Sequence, residues 1–201
     1  MDDKTVSQIA FTNRLVYSTP SMMSDNLLNE MIEYCDKLQY MDAEVNGTHG
    51  VRTNLDVRRT DVAFIPWDEW IPGILNNIMM SANEEYFNYD LTYFESRIQC
   101  GVYKGEDQGK YDWHVDASAP FWYHGKLHER KLSCSFMLSG PDEYTGGEMQ
   151  FCLPSVKKAE SKKPEKGSAL IFPSWLPHRV KPVKSGIRKS LVVWMHGPMF
   201  K

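Results

Sequence analysis

Residues 110–118 read KYDWHVDAS. On an extended chain successive side chains alternate sides, so His114 and Asp116 leave the same face of a predicted strand, where an imidazole and a carboxylate can share one metal ion. Alone the spacing says little. A chain of this composition supplies roughly 0.4 His-x-Asp pairs by chance, and a hydrogen-bonded pair at a strand edge is the plain alternative. Weight comes from the residues downstream and their order. His178 stands in FPSWLPHRV, 62 residues beyond Asp116 and just after a proline-containing turn, with Arg188 and Ser190 10 and 12 positions further on. The intervening residues fit three strands and their turns, enough to return the chain to the opposite wall of a small barrel. Two histidines and one carboxylate form the facial triad that holds ferrous iron and leaves positions open.

Arg188 supplies what such a site needs next. An oxygenase of this kind takes two electrons from a co-reductant, and a dicarboxylic keto acid can chelate iron at one end while its far carboxylate is anchored at the other. The planar guanidinium fork suits that anchor, and Ser190, on the same strand face, can add a hydroxyl contact. Without the upstream triad, a surface ion pair would be the simpler account of Arg188.

The surrounding pattern is one of short strands. LTYFESRIQCGVY (91–103), KYDWHVD (110–116), KLSCSFML (131–138), GEMQFCL (147–153), SALIF (168–172), PHRVKPV (177–183) and RKSLVVWM (188–195) are separated by turn signals, which predicts a barrel or sandwich and excludes a parallel α/β sheet. Before residue 90 the reading is mixed. FTNRLVY (11–17) and Val57–Pro66 read as strands. Ser24 caps a helix over DNLLNEMIEYCDKL (25–38), whose Leu27, Leu28, Met31, Ile32, Cys35 and Leu38 fall on one face. A second helix carries Ile74, Leu75, Ile78, Met79, Ala82 and Tyr86, with Pro72 tolerated in its first turn.

The ordered set resembles a known family, the iron(II)- and 2-oxoglutarate-dependent dioxygenases, specifically the prolyl 4-hydroxylase-like branch with its bacterial PKHD-type hydroxylases. The resemblance runs through Tyr103, Gly105, Tyr111, His114 and Asp116, then Arg130, Leu132 and Ser133. It continues through Gly146–Glu148, the GSALIFPS of 167–174, His178, Gly186, Arg188 and Trp194. It implies a mainly β chain with supporting helices, folded as a double-stranded β-helix (jelly-roll, cupin-like) barrel. By the same resemblance His114, Asp116 and His178 are the Fe(II) ligands and the seat of catalysis. Arg188 then anchors the 2-oxoglutarate, with Tyr103 donating to the same carboxylate and Ser190 assisting. Met137 departs from the pattern, standing where some relatives carry a second co-substrate tyrosine. The implied reaction hydroxylates an unactivated C–H, foremost of a prolyl residue in a peptide or protein, using O2 and releasing succinate and CO2, with ascorbate to rescue oxidised iron. Free amino acids and other small molecules are alternative substrates. A non-catalytic jelly-roll module with a structural metal, and a cupin-like metalloenzyme that needs no keto acid, are the competing functions.

Length and composition bound the rest. The 201 residues suit one globular domain, read as helical or mixed support over 1–90 and the barrel with all the chemistry over 91–201. Net charge −3 supplies no basic field for nucleic acid or anionic lipid. No stretch reads as a membrane span or leader, and the four scattered cysteines read as small buried hydrophobes in a reducing cytoplasm. The aromatic ASAPFWYHGKLHE (117–129) reads either as a substrate lid or as packing over the barrel mouth. Trp194 reads as core or pocket wall, Arg58 and Arg59 as exposed ion-pairing residues, and the lysine-rich 157–166 as a solvated hairpin loop. His124 and His128 fail as a second metal pair, and His49 and His196 have no evident partners.

Overall fold

The computed structural model describes residues 15–47, 50–94, 97–153 and 159–200. Two sheets carry the fold, and no closed barrel forms among these residues. The path of the larger sheet runs β1 (Tyr17–Ser18), β15 (Ala169–Pro173), β11 (Lys126–Met137), β17 (Val183–Pro198), β8 (Arg97–Lys104), β6 (Asp61–Pro66), β2 (Met41–Asp42). Strands β7 (Tyr93–Phe94), β10 (Phe121–Tyr123) and β12 (Tyr144–Gly146) join it at the sides. The smaller runs β14 (Glu160–Lys162), β13 (Met149–Phe151), β16 (His178–Val180), β9 (Lys110–His114), β5 (Arg58–Arg59). A hairpin, β3 (Val45–Gly47) with β4 (Gly50–Arg52), stands apart. The first ninety residues therefore supply sheet strands as well as helices.

Period-two alternation divides the larger sheet into a greasy face and a working face. Leu132, Cys134 and Phe136 of β11, Leu191, Val193 and Met195 of β17, and Ile98 and Cys100 of β8 join one apolar cluster with the two helices. Their alternates Ser135, Arg188, Ser190, Val192, Trp194, Gln99 and Tyr103 line a cavity on the other side. Register aligns the working set: Arg188 pairs with Tyr103 on β8, and Ser190 with Met137 on β11. Smaller clusters join the sheets, one through Met149, Phe151, Leu170 and Phe172, another through Tyr103, Met137, Tyr144 and Val180.

The helices form where their caps and spacing direct. The Ser24 hydroxyl accepts from the Leu27 N–H to start α1 (Asp25–Asp36), which buries Leu28, Met31 and Cys35. In α2 (Trp70–Ala82) Pro72 lies in the first turn, where its missing N–H has no helical partner to lose. The helix continues through a wide turn over Asn83–Phe87 and stops at Asn88, which has φ 53. The Asn83 side chain holds both backbone groups of Tyr89 at 2.9 Å.

Several expectations are corrected. His178 does not face His114 across a barrel: the two are direct partners on adjacent antiparallel strands of the smaller sheet. Strand β9 ends at His114, so Asp116 lies past it, its N–H and that of Ala117 both donating to the Ser174 carbonyl at 2.9 Å. The lysine-rich stretch contributes β14, paired with β13, and its residues 157 and 158 lie outside the described residues, as does most of the strand expected over 11–17. Cys152 is exposed, whereas Cys35, Cys100 and Cys134 are buried. No described helix is long and apolar enough to cross a membrane.

Gly186 shows how tightly the ends of β12 and β17 are joined. Its φ is +74, and an added Cβ would sit 2.1 Å from the Glu143 carbonyl oxygen. Because an L side chain is strained there and the carbonyl immediately precedes a paired strand, Gly186→Ala is expected to cost about 2 kcal/mol or more. A urea midpoint unchanged by the substitution would contradict this.

Candidate active site

Three titratable groups meet at the ends of β9 and β16. Ligand atoms of His114, Asp116 and His178 all lie within 4.8 Å of one another, and no other such group is found among the described residues. Asp116 Oδ1 is 3.7 Å from His114 Nε2, and Oδ2 is 3.5 Å from His178 Nε2. Both rings are oriented from behind by main chain. His114 Nδ1 is 2.7 Å from the Asp112 carbonyl, and His178 Nδ1 is 2.9 Å from the Leu176 carbonyl. A carbonyl only accepts, so Nδ1 carries the proton in each ring and Nε2 presents a lone pair towards the carboxylate. The rings are also wedged by neighbours, His114 stacked on Tyr111 at 3.5 Å and His178 edge-on to Phe172 at 4.6 Å.

Electrostatics keeps His114 and Asp116 in ligand form. Burial, helped by the His178 ring alongside, pushes the His114 pKa down to about 4, although Asp116 pulls the other way. Burial works against the Asp116 carboxylate, yet His178 and His114 beside it, with the Ser133 hydroxyl, hold its pKa below the usual range. An unfolded histidine takes up its proton near pH 6.5, whereas native His114 does so only near pH 4. The unfolded chain therefore binds the extra proton throughout that window, and falling pH favours it. Metal-free protein is expected to be about 1–2 kcal/mol less stable at pH 5 than at pH 7 through this group. Urea midpoints at the two pH values check it, and His114→Gln should lose most of the difference.

The triad opens into a cavity of about 270 Å³ that also holds Arg188, Tyr103, Ser190 and Trp194. Arg188 is not at the surface: it is 1% exposed, and it pairs with no carboxylate among the described residues. Its Nη1 donates to Ser190 Oγ at 3.0 Å, Nη2 reaches only the Met137 sulfur at 3.5 Å, and Nε has no partner. The guanidinium carbon lies 5.1 Å from the Tyr103 ring centre. A buried cation that meets a serine hydroxyl, a thioether and tyrosine rings but no carboxylate is a strong demand for an anion.

Tyr144 escaped sequence reasoning. Its hydroxyl is buried without a hydrogen-bond partner. Burial raises its pKa, while the adjacent Arg188 charge opposes that rise. The site with Met137 in place of a second tyrosine thus has a phenol from β12 beside the same guanidinium. The available signal was position: Tyr144 lies two residues before the Gly146–Glu148 turn, which carries part of the family resemblance.

Other predicted residues separate clearly. Of 117–129, Ala117 and Ser118 line the cavity. Phe121 and Tyr123 instead pack on His128 and His196, and the β10–β11 turn is made by His124 and Gly125 with positive φ. His196 does have a partner, since its Nδ1 is 2.9 Å from His128 Nδ1 and both rings are buried. Trp194 lies under the Arg130 guanidinium at 4.2 Å. Arg59 donates to the Leu55 and Asp107 carbonyls, and Arg58 is buried, so neither is the exposed ion-pairing residue expected. His49 lies outside the described residues.

A jelly-roll scaffold that brings two histidines, one carboxylate and a buried arginine into one cavity has the architecture of the non-haem iron oxygenases. The family model of the 2OG-Fe(II) oxygenase superfamily matches residues 98–196 of the chain. It is 26% identical to a PKHD-type hydroxylase of Aliarcobacter butzleri over 185 residues, covering 90% of this chain and 78% of that one. With a PKHD-type hydroxylase of Stenotrophomonas maltophilia it shares 34% identity over 87 residues, 43% of this chain and only 38% of that one. In fold it is similar to a prolyl hydroxylase from Trichoplax adhaerens solved with a hypoxia inducible factor peptide fragment. That likeness has TM-score 0.67 at 16% identity, covering 97% of this chain and 93% of that one.

Proposed function

We propose that the protein is an Fe(II)- and 2-oxoglutarate-dependent dioxygenase that hydroxylates an unactivated C–H, foremost that of a prolyl residue in a peptide or protein. The observation that carries this reading is the orphaned Arg188 charge in the same cavity as the triad. A structural metal site, or a cupin-like site without a keto acid, leaves that buried cation without a function. His114, Asp116 and His178 would hold the Fe(II), their Nε2 lone pairs and carboxylate already converging. Arg188 would grip the distal carboxylate of 2-oxoglutarate with its free Nε and Nη2 edge, while Ser190 holds Nη1 in place and Tyr103 and Tyr144 offer phenols beside it.

When bound, iron and keto acid supply the oxidising chemistry: one atom of O2 goes to the substrate as hydroxyl, and the other goes with the keto acid carbons to succinate as CO2 leaves. The chain's own part is to orient these partners and to exclude water, with Met149, Phe172 and Val180 on the apolar wall. The prolyl assignment draws on the resemblance of the sequence to the prolyl 4-hydroxylase-like branch and on the peptide complex of the Trichoplax prolyl hydroxylase. Ascorbate would keep the iron reduced, and four free cysteines accord with a reducing cytoplasm.

The test is anaerobic titration with Fe(II) and 2-oxoglutarate, which should develop a weak visible charge-transfer band. Aerobic incubation with prolyl peptides should then yield succinate and products one oxygen heavier. No band, together with no succinate, overturns the reading.

A further inference from the structure

The cavity contains a second buried guanidinium. Arg58 is 7% exposed, yet among the described residues its side chain makes one hydrogen bond, a long one of 3.4 Å from Nη1 to the Glu44 carbonyl. Its Nε has no partner, and it pairs with no carboxylate among the described residues. The guanidinium carbon sits 4.5 Å over the Tyr111 ring, which in turn stacks on His114. Arg58, Tyr111 and the triad all line the same space. A permanent charge is thus held one stacked ring, that of Tyr111, from the triad. Glu44 lines the same cavity but forms no ion pair with it, a costly arrangement unless an anion enters with the ligand. Stacking on Tyr111 holds the fork in place and compensates only part of the lost hydration.

Arg188 does not explain this second charge. It stands on β17 in the larger sheet, whereas Arg58 is on β5 at the edge of the smaller one, paired to Tyr111. We infer that Arg58 is the substrate's anion subsite, and that the molecule oxidised at the triad carries a carboxylate. This rests on reading the cavity as the site of oxidation. A carboxylate matches the planar fork through two parallel N–H donors and is small enough for a cavity of about 270 Å³ that 2-oxoglutarate must share. The carboxylate can come from a small acid or from the C-terminus of a short peptide.

The experiment is ligand-observed NMR titration of the full chain, free of metal and keto acid. The probes are N-acetyl-L-amino acids, proline included, and acetylated tripeptides ending in the same residues, each compared with its carboxamide. Acids are expected to bind at least about tenfold more tightly than their amides, and whichever series shows the preference identifies the source of the carboxylate. Arg58→Gln should abolish the preference, and Arg58→Lys, which keeps charge but loses the fork, should retain part of it. The anaerobic affinity of Arg58→Gln for 2-oxoglutarate should stay within about twofold of the parent, since Arg188 holds that acid. Equal binding of acids and amides, binding of neither, a preference that survives in both variants, or a lost keto-acid affinity overturns the inference. A parent protein without the charge-transfer band would sink the oxygenase reading instead, and the metal-free comparison would still decide Arg58.

Discussion

Asp116→Ala is expected to abolish tight Fe(II) binding while leaving a folded protein. The carboxylate is the single anionic donor of the triad, and it lies within 3.7 Å of both histidine Nε2 atoms. Its removal leaves two neutral imidazoles, a set that holds a hard divalent ion poorly. Loss of an outer partner alone typically costs a metal site about 10–100-fold in affinity, so loss of this ligand should exceed about a hundredfold. The fold should survive because Asp116 lies beyond the end of β9, where its side chain contributes to no ladder, and its N–H keeps the Ser174 carbonyl. Anaerobic Fe(II) titration, with circular dichroism as the control for folding, measures both. Binding as tight as in the parent would remove Asp116 from the site.

Arg188 should show two opposite effects in two substitutions. Arg188→Lys keeps the charge but gives up the bidentate grip, and the Kd for 2-oxoglutarate should rise roughly ten- to hundredfold, about 1.4 kcal/mol per decade. Arg188→Met removes the charge altogether. Keto-acid binding should then be lost, since truncating one side of a buried charge pair costs about 2–5 kcal/mol. The ligand-free protein should nevertheless become more stable, by about 1 kcal/mol or more, because the native guanidinium is buried among a serine hydroxyl, a thioether and two tyrosines with no carboxylate paired to it among the described residues. Equilibrium urea unfolding without ligand, set beside the anaerobic titration, separates the two effects. An unchanged keto-acid affinity in Arg188→Lys would assign the anchor elsewhere. Tyr144→Phe is the mild companion: losing one hydroxyl donor should weaken keto-acid binding a few-fold, about 1 kcal/mol.

The range of the forces involved decides how much of the structure was legible in the chain. Helix α1 could be read because Ser24 and the spacing of Leu28, Met31 and Cys35 act within a few turns of one another. Although packing set which side chains meet helices and which meet the cavity, the strand stretches within β11 and β17 were equally visible as apolar runs between turn signals. Strand ends were less so. Strand β17 begins at Val183 and ends at Pro198, beyond both ends of the stretch 188–195, because its partners β12, β8 and β11 extend it. The smaller sheet also recruits Glu160–Lys162, a polar run that local preference assigns to a loop. Its hydrogen bonds to β13 override that preference.

The candidate donor set was legible in the chain alone: His114, Asp116 and His178 in order, then Arg188 and Ser190 two apart, because the proposed chemistry needs those residue types and strand geometry aligns the last pair. How they meet depends on contacts between segments far apart in the chain. His114 and His178 are neighbours in one sheet, a pairing set by ladder register between two segments distant in the chain. Burial was likewise undecided until the sheets packed, and burial is what distinguishes Arg188 and Arg58 from ordinary surface arginines. A guanidinium has the same charge everywhere, but its demand for an anion depends on how much water the fold has removed from it and on which acids the fold has kept away.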